Sequence, residues 1–151
     1  MPFVIEKTLE IDAPAELVWE VITDVKRYPE WNPFQVEMQT SFKPGDPIDM
    51  QVKLMAKPQA QREWVTEFVP GKRFAYQMKA VPLNTLSSQR SHDVEAIGPG
   101  RTRYRSYFHL KGWLHPVVVG LLGNKLQAGF AGMTAGIQQR AESLARQRKA
   151  A

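Results

Sequence analysis

The stretch LGNKLQAGFAGMTAGIQQRAESL, residues 122–144, decides the fold. Its apolar residues recur as Leu122, Leu126, Phe130, Met133, Ile137, Ala141 and Leu144. Steps of four and three place them on one face of a long amphipathic helix. Burying that face is worth on the order of 10 kcal/mol before ordering entropy, at roughly 1.5–3 kcal/mol per large side chain. Gly129, Gly132 and Gly136 lie beside the stripe. Each costs about 1 kcal/mol of helix propensity relative to Ala. Their repetition implies close approach of a strand, with a surface left open for a ligand as the alternative. The helix is expected to begin near Pro116. The pattern Asn124-Lys125-Leu126-Gln127 resembles a capping box, so a break near Gly123 is also compatible.

Upstream, from about Gln35 to Leu110, the chain reads as six short antiparallel strands. Val36, Met38, Thr40 and Phe42 are expected on one face, followed by Ile48, Met50, Val52 and Leu54. Trp64, Thr66 and Phe68 form the next set, then Phe74, Tyr76 and Met78. Arg90, His92, Val94 and Ala96 alternate with Asp93 and Glu95. In the last strand Thr102, Tyr104, Ser106, Phe108 and Leu110 oppose Arg101, Arg103, Arg105, Tyr107 and His109. Period-two alternation means that one face of the sheet is wet. Turns are signalled at Lys43-Pro44-Gly45-Asp46, Pro70-Gly71 and Gly98-Pro99-Gly100. Before these, Ile5, Leu9 and Ile11 mark a first strand. A helix follows, with Pro14 at its first position and Leu17, Val18, Val21 and Ile22 buried. Tyr28 to Phe34 reads as a short helical turn or a tight loop. One long helix after a run of antiparallel strands predicts an α+β fold: a curved sheet wrapped on the helix, with room for a ligand between them.

Composition narrows the function classes. The chain has 151 residues, 43% apolar, which suits one domain with a substantial core. There is no Cys, so disulfides and thiolate metal sites are excluded and a cytoplasmic location is expected. No secretory signal is read at Met1-Pro2-Phe3-Val4-Ile5-Glu6, and no stretch reaches the roughly 20 apolar residues of a membrane span. The net charge of +5 is spread along the chain, and part of it sits at Arg146, Arg148 and Lys149, where it complements a helix C-terminus. Nucleic acid is not an expected partner.

Several motifs together carry a family resemblance. Ile11-Asp12-Ala13-Pro14-Ala15-Glu16-Leu17-Val18-Trp19 resembles the opening of the START-like helix-grip superfamily, also labelled SRPBCC or polyketide cyclase/dehydrase. The likeness continues at Ile22-Thr23-Asp24, Tyr28, Trp31-Asn32-Pro33-Phe34 and Phe68-Val69-Pro70-Gly71-Lys72-Arg73-Phe74. It extends through His92, Gly100-Arg101-Thr102-Arg103, Gly112 and Gly129-Phe130 to Met133, nearly the whole chain in order. The resemblance implies a seven-stranded antiparallel sheet gripping a long C-terminal helix, with two short helices after the first strand. It also implies a cavity for hydrophobic small molecules: lipids, polyketides or aromatic compounds. Members include carriers as well as aromatases and cyclases, and they share no catalytic motif. Many relatives carry acidic residues near the end of the last strand. Here that stretch is Tyr107-Phe108-His109-Leu110-Lys111-Gly112, so chemistry using those acids is not implied for this chain.

Candidate site residues follow from the alternation. His92, on the inward face with Val94, is the candidate for acid–base work, with a structural histidine as the alternative. Arg90 shares that face and would need an anionic partner such as a ligand carboxylate, unless it reaches the rim. Tyr76, Tyr104 and Ser106 are candidate cavity hydroxyls. Trp31, Trp64, Phe108, Phe130 and Met133 would line the pocket or fill it. No metal-ligand spacing, phosphate loop or nucleophile elbow occurs, and no cofactor is expected. The reading that follows is a protein binding a hydrophobic small molecule. The alternatives are a polyketide cyclase-, dehydratase- or hydrolase-type enzyme using the same cavity, and an interaction module using the arginine-rich sheet face or a homodimer surface.

Overall fold

Strand alternation and the long helix repeat build the architecture directly. A computed structural model describes residues 1–150. Strand β1 (Phe3–Ile11) leads into α1 (Ala15–Thr23), a single 3-10 turn (Val25–Arg27) and α2 (Tyr28–Trp31). Strands β2 (Gln35–Thr40), β3 (Pro47–Val52), β4 (Gln59–Val69), β5 (Arg73–Gln77), β6 (Ser87–Gly98) and β7 (Arg101–Lys111) follow, and α3 (His115–Ala150) closes the chain. The seven strands form one antiparallel sheet in the order β1-β7-β6-β5-β4-β3-β2, so the first strand pairs with the last. In β1, Ile5, Leu9 and Ile11 sit opposite Phe108, Tyr104 and Thr102, which continues the inward set across the two strands. The expected helix-grip arrangement is present: a curved sheet, a long C-terminal helix and two short helices after β1.

Helix α3 is continuous over 36 residues, with no break at Gly123. That glycine is buried close to Phe3: an added Cβ would lie 3.1 Å from Val119 and 3.9 Å from the Phe3 ring. The stripe from Phe130 to Ala141 is buried as expected. Pro14 occupies the cap position of α1 rather than its first turn. Its carbonyl accepts the N–H groups of Leu17 and Val18, at 3.0 and 3.1 Å, a role that needs no N–H of its own.

The glycine seam on α3 admits a loop, not a strand. A Cβ at Gly136 would meet the Trp31 ring at 3.0 Å and its carbonyl oxygen at 3.1 Å, and one at Gly132 would lie 3.3 Å from Pro33. One at Gly129 would overlap the Phe34 ring. The segment joining α2 to β2 therefore rests directly on the α3 backbone.

Two bulges change the expected faces. Between Val65 and Glu67 the pairing of β4 with β5 shifts. Val65 is buried, and Trp64 stands opposite the exposed Pro47 and Gln77, so Trp64 and Thr66 face away from the helix. A bulge in β2 between Gln35 and Glu37 likewise buries Gln35 and Met38 and leaves Val36 at the margin. Alternation counting carries no information about an inserted residue, and every side chain beyond one changes face.

On the convex face the arginines of β7 stand in a ladder with acids. Arg101 pairs with Glu10 at 2.7 Å, Arg103 with Glu95 at 3.5 Å, and Arg105 with Glu6. Asp93 bridges Arg73 and Arg105, at 2.8 and 3.6 Å. The arginine-rich face is thereby charge-compensated rather than a free basic patch.

Candidate functional site

The interior divides into a filled half and an open half. Beneath α1, Trp19 packs on Phe68 and Phe42 on Phe74, with ring centroids 5.6 and 5.0 Å apart. These aromatics close that end of the sheet. Toward the first half of α3, sheet and helix separate and leave a cavity of about 420 Å³. The helix contributes Val118, Leu122, Leu126 and Phe130 to its wall. Strands β3 and β7 contribute apolar Val52, Phe108 and Leu110, and the connecting segments contribute Phe34, Leu54 and Met78. Polar groups are few: Gln35, Glu63, Tyr76, Ser88 and Arg90, with the exposed Gln61, Arg62 and Lys79 at the opening. An apolar chamber with a small set of polar groups is the usual form of a small-molecule site.

Arg90 dominates the polar end. It is 2% exposed. One terminal nitrogen, Nη1, donates to Ser106 Oγ at 2.7 Å and to the carbonyls of Ser91 and Tyr107 at 3.2 and 3.3 Å. Its Nη2 lies 3.7 Å from Met133 Sδ. The guanidinium sits 4.8 Å over the Phe130 ring. None of these partners is an anion, and Nε has no partner among the described residues. A buried cation held only by neutral dipoles and a ring face is incompletely compensated.

Two further groups face the same chamber. Burial pushes the Glu63 carboxyl up to about 7, against the opposing pull of Arg90. Burial likewise lifts the Tyr76 phenol to about 12, with Arg90 opposing the shift. The Tyr76 hydroxyl accepts a hydrogen bond from Gln35 Nε2 at 2.7 Å. The opposite atom of that amide, Gln35 Oε1, is buried without a partner among the described residues.

His92 lies off the cavity wall. It stacks on Phe74 at 4.5 Å, and its Nδ1 is 2.6 Å from the Tyr104 hydroxyl. Burial, then the charge of Arg90, holds its pKa well below that of an ordinary histidine, so it is neutral. Its Nε2 has no partner among the described residues. Of the residues singled out from sequence, the structure brings Tyr76, Arg90, Phe108 and Phe130 together at the cavity. Ser106 and Met133 stand behind, holding Arg90, and Tyr104 stands with His92. Trp31 packs on Tyr28 and against Gly136, and Trp64 is on the outer face, so neither lines the cavity.

Glu63 and Gln35 were not legible in the sequence. Both sit where a bulge re-sets the alternation, and an acid among Gln61, Arg62 and Thr66 reads as an exposed residue. Among the described residues, no group of three or more His, Cys, Asp or Glu is placed to hold a metal ion, and no helix is long and apolar enough to cross a membrane.

Residues 2–147 match the family described as polyketide cyclase / dehydrase and lipid transport. Solved structures with the same fold include the ZhuI aromatase/cyclase from Streptomyces sp. R1128. It is 16% identical, with a TM-score of 0.73 over 98% of this chain and 96% of that one. Norcoclaurine synthase from Thalictrum flavum, in complex with dopamine and hydroxybenzaldehyde, is 19% identical, with a TM-score of 0.67 over 92% and 86% of the two chains. A START superfamily protein from Mycobacterium smegmatis is 18% identical, with a TM-score of 0.66 over 93% and 98%. No curated protein gives a significant sequence match. At these identities the structural likeness speaks for the fold.

Proposed function

The chain belongs to the polyketide cyclase / dehydrase and lipid transport family, and from that premise we propose that it binds a lipophilic small molecule carrying an acidic or otherwise electron-rich oxygen. The apolar body of the ligand would occupy the chamber between α3 and the sheet, as a cytoplasmic carrier or sensor requires. Its oxygen would approach Arg90. The observation that carries this reading is the Arg90 guanidinium itself, buried on a cavity wall and in no ion pair among the described residues, with the Glu63 carboxyl of the same chamber raised toward its neutral form. A ligand carboxylate, phenolate or enolate would supply the missing charge.

The test is a titration with cis-parinaric acid, a fluorescent lipophilic carboxylate, together with native mass spectrometry of the freshly purified protein. Stoichiometric binding that raises the melting temperature supports the reading. A chamber that takes up neither this acid nor its methyl ester overturns it.

The enzyme reading rests on a separate observation, the Glu63 carboxyl raised to about 7. A carboxyl poised near neutrality, facing a phenol and a guanidinium, can pass a proton to or from a bound keto or hydroxyl compound. Arg90 and Tyr76 would hold the developing oxyanion. In this reading the proton carrier is Glu63, because His92 is held neutral behind the wall. Loss of turnover in Glu63→Gln with retained binding would support it, and unchanged turnover would exclude it.

A further inference from the structure

We propose that the open end of the cavity is a docking face for an anionic lipid surface. The strand registers bring three connections to that end: β3–β4, β5–β6 and β7–α3. Val52 pairs with Gln59, Tyr76 with Arg90, and Leu110 with both Ser88 and Phe3. Leu54, Lys79 and Leu86 from two of these connections, with Val118 and Leu122 from the start of α3, line the cavity itself.

Apolar side chains are concentrated outside this opening. Leu83 is 91% exposed, Leu121 75% and Trp113 67%, joined by Val81, Val117 and, on the β3–β4 connection, Met55. Val117 and Leu121 are one helical turn apart, and their neighbours Val118 and Leu122 turn inward to the chamber. The patch and the cavity are thus two sides of one helix.

The tip that presents Leu83 is held in place at a cost. Leu83 and Asn84 both have positive φ, 62° and 59°. A leucine in that region is uncommon and strained. The tip is latched to the start of α3: Trp113 Nε1 donates to the Leu83 carbonyl at 3.2 Å. The Trp113 and Leu114 N–H groups donate to Asn84 and Thr85 at 3.1 and 3.0 Å. Gly112, at φ +119°, sits so close to Thr85 that a Cβ would strike its carbonyl. Backbone strain and solvation both oppose this placement of a leucine, whose side chain is left in solvent.

Charge names the partner. No Asp or Glu occurs between Asp49 and Glu63, between Glu67 and Asp93, or between Glu95 and Glu142, the stretches that hold all three connections and the first half of α3. Lys53, Lys57, Lys79, Lys111 and Lys125 are exposed there. Among the described residues the ion pairs are made by arginines, and these lysines have no acidic partner. Exposed apolar side chains ringed by unpaired lysines complement an anionic bilayer interface, where the first enter the headgroup region and the second meet its phosphates. A protein partner would need acids of its own around an apolar centre, and nothing in the structure calls for that over lipid. Docking this end would set the cavity opening against the bilayer, a route for lipophilic ligand that avoids water. The docking stands apart from the ligand reading, since the face exists whatever fills the chamber.

The experiment is flotation of the full chain with phosphatidylcholine vesicles, with and without roughly one-third phosphatidylserine. Binding to the phosphatidylserine vesicles, release by high salt and a blue shift of tryptophan emission lost in Trp113→Phe are expected. Lys79→Gln and Lys111→Gln should each weaken partitioning about fivefold, and Leu83→Asn about tenfold. Asn tolerates positive φ, so Leu83→Asn keeps the turn. Absence of binding to the anionic vesicles, or binding indifferent to these variants, overturns the proposal. A dimer in solution that Leu83→Asn dissociates would also overturn it by assigning the face to a second copy of the chain. Parinaric acid titration in vesicle-free buffer reads the cavity separately, so either reading can fail alone.

Discussion

The Arg90 guanidinium lies 4.8 Å over the ring of Phe130, and Phe130 is itself held between Phe34 at 4.9 Å and Phe108 at 4.7 Å. A charge on the sheet is thereby packed against a helix side chain that one aromatic of β7 and one of the α2–β2 segment hold on either side. The contact ties the position of α3 to the polar end of the cavity.

Arg90→Met tests the charge separately from the volume. Removing a buried cation that lacks an anion should leave stability unchanged or slightly raised, since a well-packed apolar replacement is often neutral or stabilising. Parinaric acid affinity should fall about tenfold or more, in line with the loss of one charge-assisted hydrogen bond. Equal affinity for the acid in the variant would remove Arg90 as the head-group contact.

Glu63 should give the folded protein a distinctive pH response. Its carboxyl is raised from 4.5 to about 7, so the folded state holds a proton that the unfolded chain releases in that window. Stability from this group therefore falls as pH rises from about 4.5 to about 7, and is level above. The span is at most about 3.5 kcal/mol at about 1.4 kcal/mol per unit, an upper bound because the carboxyl borders a cavity that water can enter. Glu63→Gln should abolish this component, visible as the difference between urea midpoints at about pH 5 and about pH 8. Parallel profiles for the two proteins would show the carboxyl to be unperturbed.

His92 should respond with the opposite sign. Its folded pKa lies below the ordinary value of 6.5, so the unfolded chain takes up a proton first and stability is lost as pH falls below that value. In NMR titrations its ring signals should stay unshifted through the range where an exposed histidine titrates. A His92 that titrates there would have proton access, and would return to consideration as an acid–base group.

The glycine seam makes graded predictions by chemical denaturation. Gly129→Ala should destabilise by about 1–3 kcal/mol, because its Cβ overlaps the Phe34 ring in a packed interface. Gly120→Ala has open space and should stabilise by up to about 1 kcal/mol through helix propensity alone. If both were stabilising, Phe34 would not be seated on the helix backbone.

The α3 stripe and the β7 alternation were legible because both periods run unbroken for several turns or residues. Phe130, Met133 and Ile137 are buried where the spacing places them, and Tyr104, Ser106 and Leu110 likewise. The cavity was legible in part. Arg90 and Tyr76 lie on strands whose register holds to the site. Trp64 was assigned to the wrong face by one inserted residue in β4, and the same insertion concealed Glu63. Trp31 was read as pocket lining, yet its partner is a glycine on α3, more than a hundred positions away along the chain.

By itself, then, the sequence determined the elements, their order and which stripe of α3 is buried, because periodicity is a local property and burial of an apolar face follows from it. Tertiary structure alone decided where the interior is filled and where it is open. It seated Trp31 to Phe34 on the glycines, left Arg90 outside any ion pair among the described residues and gathered Leu83, Trp113 and Leu121 at one end. Those outcomes depend on distances between segments remote along the chain, and bulges and close approaches set such distances without leaving a periodic trace.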